Sequence, residues 1–163
     1  MARYQKILKP LLQAAKLARR SGIPNLFQPG LVKEMIIAEH LGHVVNPKKR
    51  QADAHDPEDH SVVYEYLSCK EGGSGQFDRM FKEPADKRER SLDRIRRNAK
   101  IYLAVFYKSD QTNIKAIYEL DPEVVDQEAN RKLDRSRNAI SHIGFSEKWA
   151  QAHGTVVYQD RKR

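Results

Sequence analysis

Glu34, Asp53, Glu65 and Lys70 follow one another in an order suited to phosphodiester hydrolysis. That reaction in neutral water needs a divalent cation to polarise the phosphate and to lower the pKa of a water molecule, and carboxylates suit Mg²⁺ best. Two acids on adjacent strands hold such an ion, and a nearby lysine then stabilises the developing negative charge or helps deprotonate the attacking water. Asp53 falls in a loop or at a strand start, Glu65 within a strand and Glu34 on a helix, while Asp56 is near enough to exchange roles with Asp53. Glu34 reads first as an exposed helix acid and second as a further metal ligand. His55 and His60 stand beside acids, yet their loop lacks the ligand spacing of a transition-metal site. The single cysteine, Cys69, excludes an internal disulfide and a cysteine-based zinc cluster, and reads as a small buried hydrophobe.

These residues sit in a chain of 163 residues, a one-domain length, whose 30 Lys and Arg against 22 Asp and Glu give a net charge of +8. A polyanion is therefore the first partner to consider. The 39% hydrophobic content suffices for one packed core and argues against wholesale disorder. No apolar run approaches the roughly 20 residues of a membrane span. Met1-Ala2-Arg3-Tyr4 lacks a signal-peptide core, so the expected location is cytoplasmic, with no membrane partner.

The elements that must position the acids follow from spacing. Six basic residues and no acid precede Pro24, with Ile7, Leu8, Leu11, Leu12, Ala15 and Ala18 at helical spacing, which predicts a basic amphipathic helix running from Pro10 to Gly22. It faces solvent, DNA backbone or a second copy. Leu31 to Leu41 predicts a helix ended by Gly42, and Val62 to Leu67 a strand. Past the Gly72–Gly75 break, Gln76 to Glu83 reads as a short helix stopped by Pro84, and residues 85–100 as a charged stretch whose thin stripe of Leu92 and Ile95 leaves most of it to solvent or a partner. Ile101–Tyr107 and Ile114–Leu120 predict a hairpin, Asp121-Pro122-Glu123 starts a helix to about Leu133, Ser146 caps a short helix containing Trp149, and Thr155–Tyr158 returns to the sheet. Phe145 and Trp149 read as core anchors. The order predicts a mixed α/β domain with one central sheet.

Gly30-Leu-Val-Lys-Glu34, Leu41-Gly42-His43-Val44-Val45, Asp53-Ala54 and Tyr64-Glu65-Tyr66 together resemble the core of the PD-(D/E)xK nuclease superfamily, and more narrowly PvuII-like type II restriction endonucleases. The likeness extends over most of the chain: Ser21 to Gln28 resembles the family's N-terminal segment, Ala104–Tyr107 with Ile117–Pro122 its hairpin and turn, and His153–Tyr158 its last strand. It implies a restriction-endonuclease-like fold, a central mixed β-sheet flanked by helices. It also implies an Mg²⁺-dependent homodimer that cuts both strands of double-stranded DNA, with Asp53 and Glu65 as metal ligands. On this reading residues 1–163 form one nuclease domain: a basic segment for dimer or DNA contact at 1–29, a catalytic core at 30–120, and a helix, recognition segment and last strand at 121–163.

The chain departs from the family at Leu67, which stands where a lysine is usual. On a strand, Glu65 and Leu67 share one face while Ser68 and Lys70 share the other. Either a bulge near Ser68-Cys69 brings Lys70 onto the Glu65 face, or Ser68-Cys69-Lys70 is the signature strand and Glu83 supplies the displaced carboxylate, or the site works with metal alone. For reading bases, the resemblance marks Gln76, Asp78 and Arg79 after the glycine break, and Ser141 and His142 before Phe145, with Lys148 as a further DNA contact. Two other readings stay open: a structure-selective nuclease of the Holliday-junction-resolvase kind, favoured by Glu34, and a DNA-binding protein without catalysis, motivated by Leu67.

Overall fold

The computed structural model describes residues 3–48 and 51–161, so Lys49 and Arg50 of the basic patch after Pro47 lie outside it. Among the described residues five helices and eight strands follow one another: α1 (Gln5–Arg20), α2 (Leu31–Leu41), β1 (Val44–Val45), β2 (Ala54–His55), β3 (Val63–Lys70), β4 (Ser74–Phe81), α3 (Ala85–Arg96), β5 (Lys100–Phe106), β6 (Ile114–Leu120), α4 (Pro122–Arg135), β7 (Ile140–Ser146), α5 (Glu147–His153) and β8 (Thr155–Gln159). Six strands form a mixed sheet in the order β1-β2-β3-β5-β6-β8, flanked by helices. β3 and β5 run parallel, joined through β4 and α3, and every other neighbouring pair is antiparallel.

The parallel pair dictates where side chains go. Leu67 pairs with Leu103 and Cys69 with Val105, and these join α3, α4 and Phe145 in one buried cluster. Tyr64, Tyr66, Tyr102 and Ala104 fill the opposite face against Ile37 and Ala38 of α2. Full burial of one such aliphatic side chain is worth about 1.5–3 kcal/mol, so the register of β3 is strongly specified: a one-residue slip would exchange the two faces.

A second sheet corrects the expectation of a single one. β4 and β7 pair as an antiparallel ribbon, and Gln76–Glu83 is a strand leading into a loop rather than a helix. The misreading has a structural cause. The ladder shifts register between Phe77 and Met80, so a bulge places two buried residues three apart and imitates helical spacing within an alternating strand. The ribbon lies directly on the central sheet. A Cβ added at Gly75 would come within 2.8 Å of Leu67 Cβ and 2.7 Å of Leu103 Cδ1, so only glycine permits this approach. α1 also differs from expectation: it begins at Gln5 and carries Pro10 inside. It buries only Ala15 and Ala18 and leaves Ile7, Leu8, Leu11, Leu12 and Leu17 exposed.

Candidate active site

β2 is two residues long, and its brevity creates the site. Ala54 pairs with Tyr64 and His55 with Val63; beyond them the Tyr66 N–H donates to Asp53 Oδ2 at 2.8 Å instead of to a strand. Asp53 is thereby held against the edge of β3, beside Glu65. Burial is the main cause that lifts the Asp53 carboxyl to about 6, while the Tyr66 amide, Arg97 and Arg94 hold it down. Burial and then Asp53 push Glu65 up to about 8, opposed by Arg94 and Arg97. Glu34, on the first turn of α2, rises to about 7 through burial and then Asp53. It is half-buried and shares the field of the other two acids, so the reading of an exposed helix acid is corrected.

Glu65 Oε2 is buried with no hydrogen-bond partner, and Arg97 Nη2 stands 4.0 Å away, an ion-pair contact without a hydrogen bond. A buried oxygen left unbonded costs about 1–3 kcal/mol, more when charged. Beside it, Arg97 lines a cavity of about 430 Å³ with Asn46, Gln51, Ala52, His55 and His60. His55 itself is engaged, its Nδ1 lying 2.8 Å from Asn46 Oδ1. Two neighbouring carboxylates, one with an orphaned oxygen, fit a hard divalent cation that takes the rest of its shell from water and phosphate. Among the described residues no three His, Cys, Asp or Glu side chains are gathered closely enough to hold a metal by themselves.

The lysine expected here lies elsewhere. β3 pairs with β5 without a register shift from Tyr64 to Lys70, so the bulge near Ser68-Cys69 is absent and Lys70 keeps to the face opposite Glu65. The alternative signature fares no better. Ser68 and Lys70 share that opposite face, whereas Glu83 is exposed in the connection between β4 and α3, and both of those elements pack on the Glu65 side. Leu67, on the Glu65 face, is 3% exposed and sealed under Gly75, so nothing reaching it from solvent could meet a side chain there. Asp56 is not interchangeable with Asp53. Its Oδ1 accepts from the Glu58 and Asp59 amides at 2.8 and 3.1 Å, contacts that lower its pKa and tie it to its own loop.

The cations beside the acids are Arg94 and Arg97, the former on the last turn of α3 and the latter just past it. Sequence reasoning assigned both to a solvated or partner-facing stretch. Their three-residue spacing at a helix end was the available signal, but it means nothing until the acids are placed nearby. Arg94 also reaches the ribbon: Nη1 donates to Asp78 O at 2.8 Å, and its guanidinium lies 6.0 Å from the Phe77 ring centroid.

The two segments marked for reading bases become the two strands of that ribbon. At the bulge, Asp78 Oδ1 takes a hydrogen bond from Gln76 Nε2 at 3.0 Å and lies 2.8 Å from His142 Nδ1. All three side chains are exposed, so their polar edges form one solvent-facing network. Arg79 adopts φ 53°, a left-handed conformation that costs a non-glycine residue about 1–2 kcal/mol. Ser141 is turned inward, its Oγ 2.5 Å from Ser136 Oγ. Lys148 is exposed on α5, beyond the end of β7 and outside this network. No protein-family model matches the chain, and a search of curated proteins gives no match.

Proposed function

We propose that this protein is an Mg²⁺-dependent endonuclease of the type II restriction kind, with the PD-(D/E)xK architecture, that cuts double-stranded DNA at a short specific site as a homodimer. The observation that carries the reading is the buried Asp53–Glu65 pair with its orphaned oxygen, linked through Arg94 to a ribbon that presents hydrogen-bonding side chains. A bound Mg²⁺, held by Asp53 and Glu65, would supply a Lewis acid and a water of lowered pKa. The chain's own residues do the rest. The Tyr66 amide keeps Asp53 oriented, Arg97 places positive charge beside the phosphate where negative charge develops, and Gln76, Asp78 and His142 meet base edges. A guanidinium is not a general base in neutral water, so Arg97 takes over only the electrostatic share of the lysine's work.

The dimer is drawn to α1. Five exposed large apolar residues on one basic helix form the kind of patch that marks an interface, and a two-fold pair of subunits would present one site to each strand of a palindrome. A second reading, a junction-resolving nuclease, is favoured by Glu34, because a helix acid is electrically joined to Asp53.

Incubating long unmethylated phage DNA with the protein, in Mg²⁺ and in EDTA, tests the proposal. Discrete Mg²⁺-dependent fragments are expected, lost in Asp53→Ala and Glu65→Ala and retained in Glu83→Ala. Arg97→Met should slow cleavage by about 10²–10³-fold, the usual cost of one transition-state donor. Intact phage DNA from the wild-type protein refutes restriction, and cleavage confined to four-way junctions selects the second reading.

A further inference from the structure

A cavity of about 330 Å³ lies on the ribbon side of α3, lined by Arg79, Phe81, Lys87, Arg90, Ser91 and Arg94. Four cations stand around an aromatic floor, with Lys87 Nζ 5.4 Å from the Phe81 ring centroid. Among the described residues three of the four lack an acid partner, whereas neighbouring cations on and after α3 have one. Arg88 pairs with Asp134, Arg96 with Glu89, Asp93 and Asp126, and Lys100 with Glu119 and Asp121. Around the cavity only Arg90 has an acid, Asp86; among the described residues no carboxylate lies within ion-pair distance of Arg79, Lys87 or Arg94. Converging like charges repel one another. Moreover, Arg79 takes up its place from a strained left-handed backbone at the bulge. Gathering four cations, three of them without an acid, at such a cost over a concave apolar floor is what an anion-binding site requires.

Arg94 identifies the anion. It lines this cavity, holds the main chain of the reading ribbon at Asp78, and acts on Asp53 and Glu65. The cavity, the acids and the reading network are thus contiguous, along one path for a strand. We propose that this cavity binds a non-scissile phosphodiester group of the DNA backbone, the rim cations meeting the phosphate and Phe81 packing against the adjoining sugar. Arg79 on this account holds the backbone rather than a guanine edge. The inference rests on DNA as the ligand of the proposed nuclease, but not on cleavage.

The test is duplex binding by fluorescence anisotropy in EDTA, titrated over about 50–200 mM salt. Lys87→Gln sits on an exposed helix position, and Arg79→Asn keeps a residue that tolerates the left-handed backbone. Each should reduce the slope of log affinity against log salt by about 1, and the double variant should lose about tenfold in affinity or more. Lys108→Gln with Arg161→Gln removes the same charge at exposed positions outside the cavity and should leave the slope nearly unchanged. Equal losses from both pairs, or no loss from the cavity pair, overturn the site. If inorganic phosphate or a deoxynucleoside monophosphate raises the melting temperature of the wild type but not of Lys87→Gln, while duplex binding is the same in both, the ligand is a free phosphate and the DNA assignment falls. Slope changes without any cleavage refute the nuclease alone; normal cleavage with unchanged slopes refutes this site alone; a wild type that binds no duplex refutes both.

Discussion

Glu65→Gln should stabilise the protein at alkaline pH and cost it about 1–2 kcal/mol in acid, with no divalent metal present. The Glu65 side chain is 13% exposed, carries an unbonded oxygen and lies beside Asp53. Its folded carboxyl is raised from 4.5 to about 8, so between those values the native state holds a proton that the unfolded chain has released. Stability from this group is therefore complete below about pH 4.5 and lost as pH climbs to about 8. At about 1.4 kcal/mol per decade of proton affinity, the loss approaches 4–5 kcal/mol at its limit. Gln is neutral at every pH and nearly isosteric, and its own unmet N–H costs about 1–2 kcal/mol, so a net gain on the order of 3 kcal/mol is expected at pH 9. Urea denaturation in EDTA at pH 5, 7 and 9 measures it. Added Mg²⁺ should reverse the order at pH 8, stabilising the wild type and not the variant. A wild-type-minus-variant difference that is the same at pH 5 and pH 9 would show that Glu65 is not a destabilised buried acid, and the metal argument would lose its foundation.

Two further outcomes follow from packing and from exposed surface. Gly75→Ala should destabilise the fold by about 1–3 kcal/mol, since its Cβ would meet Leu67 and Leu103 at under 3 Å and the ribbon would have to lift; an unchanged denaturation midpoint would mean that the ribbon does not rest on the central sheet. Leu8→Asp with Leu12→Asp, at two exposed positions of α1, should leave the monomer's melting temperature within a few degrees and abolish self-association in sedimentation velocity. A monomeric wild type, or a variant that still dimerises, removes α1 as the interface.

Local chemistry carried much of this architecture in the sequence. Helical spacing and the left-handed Gly42 placed α2, the Asp121-Pro122-Glu123 start placed α4, and the Ser146 cap placed α5, where its Oγ accepts from the Trp149 amide. Strand-forming runs located β3, β5, β6 and β8 because their apolar residues recur in ordinary patterns. These signals act within a few residues, and tertiary packing agreed with them. Gln76–Glu83 shows the limit: its bulge writes a helical interval into a strand, and only pairing with β7 reveals which period applies.

The candidate site divides in the same way. Asp53, Glu65 and Glu34 could be named from residue type and order, but their union depended on where β2 stops and on the Tyr66 amide turning to Asp53. The fate of Lys70 was a question of register. Strand alternation posed it, and the uninterrupted β3–β5 ladder answered it by keeping that side chain on the far face. Arg94 and Arg97 lie some thirty to forty residues after Asp53 and Glu65 in the chain, so their proximity to the acids is a long-range fact that no local pattern encodes. Side-chain types and short-range geometry are properties of the sequence alone; which charges face one another, and how far each is taken from water, belongs to the assembled fold.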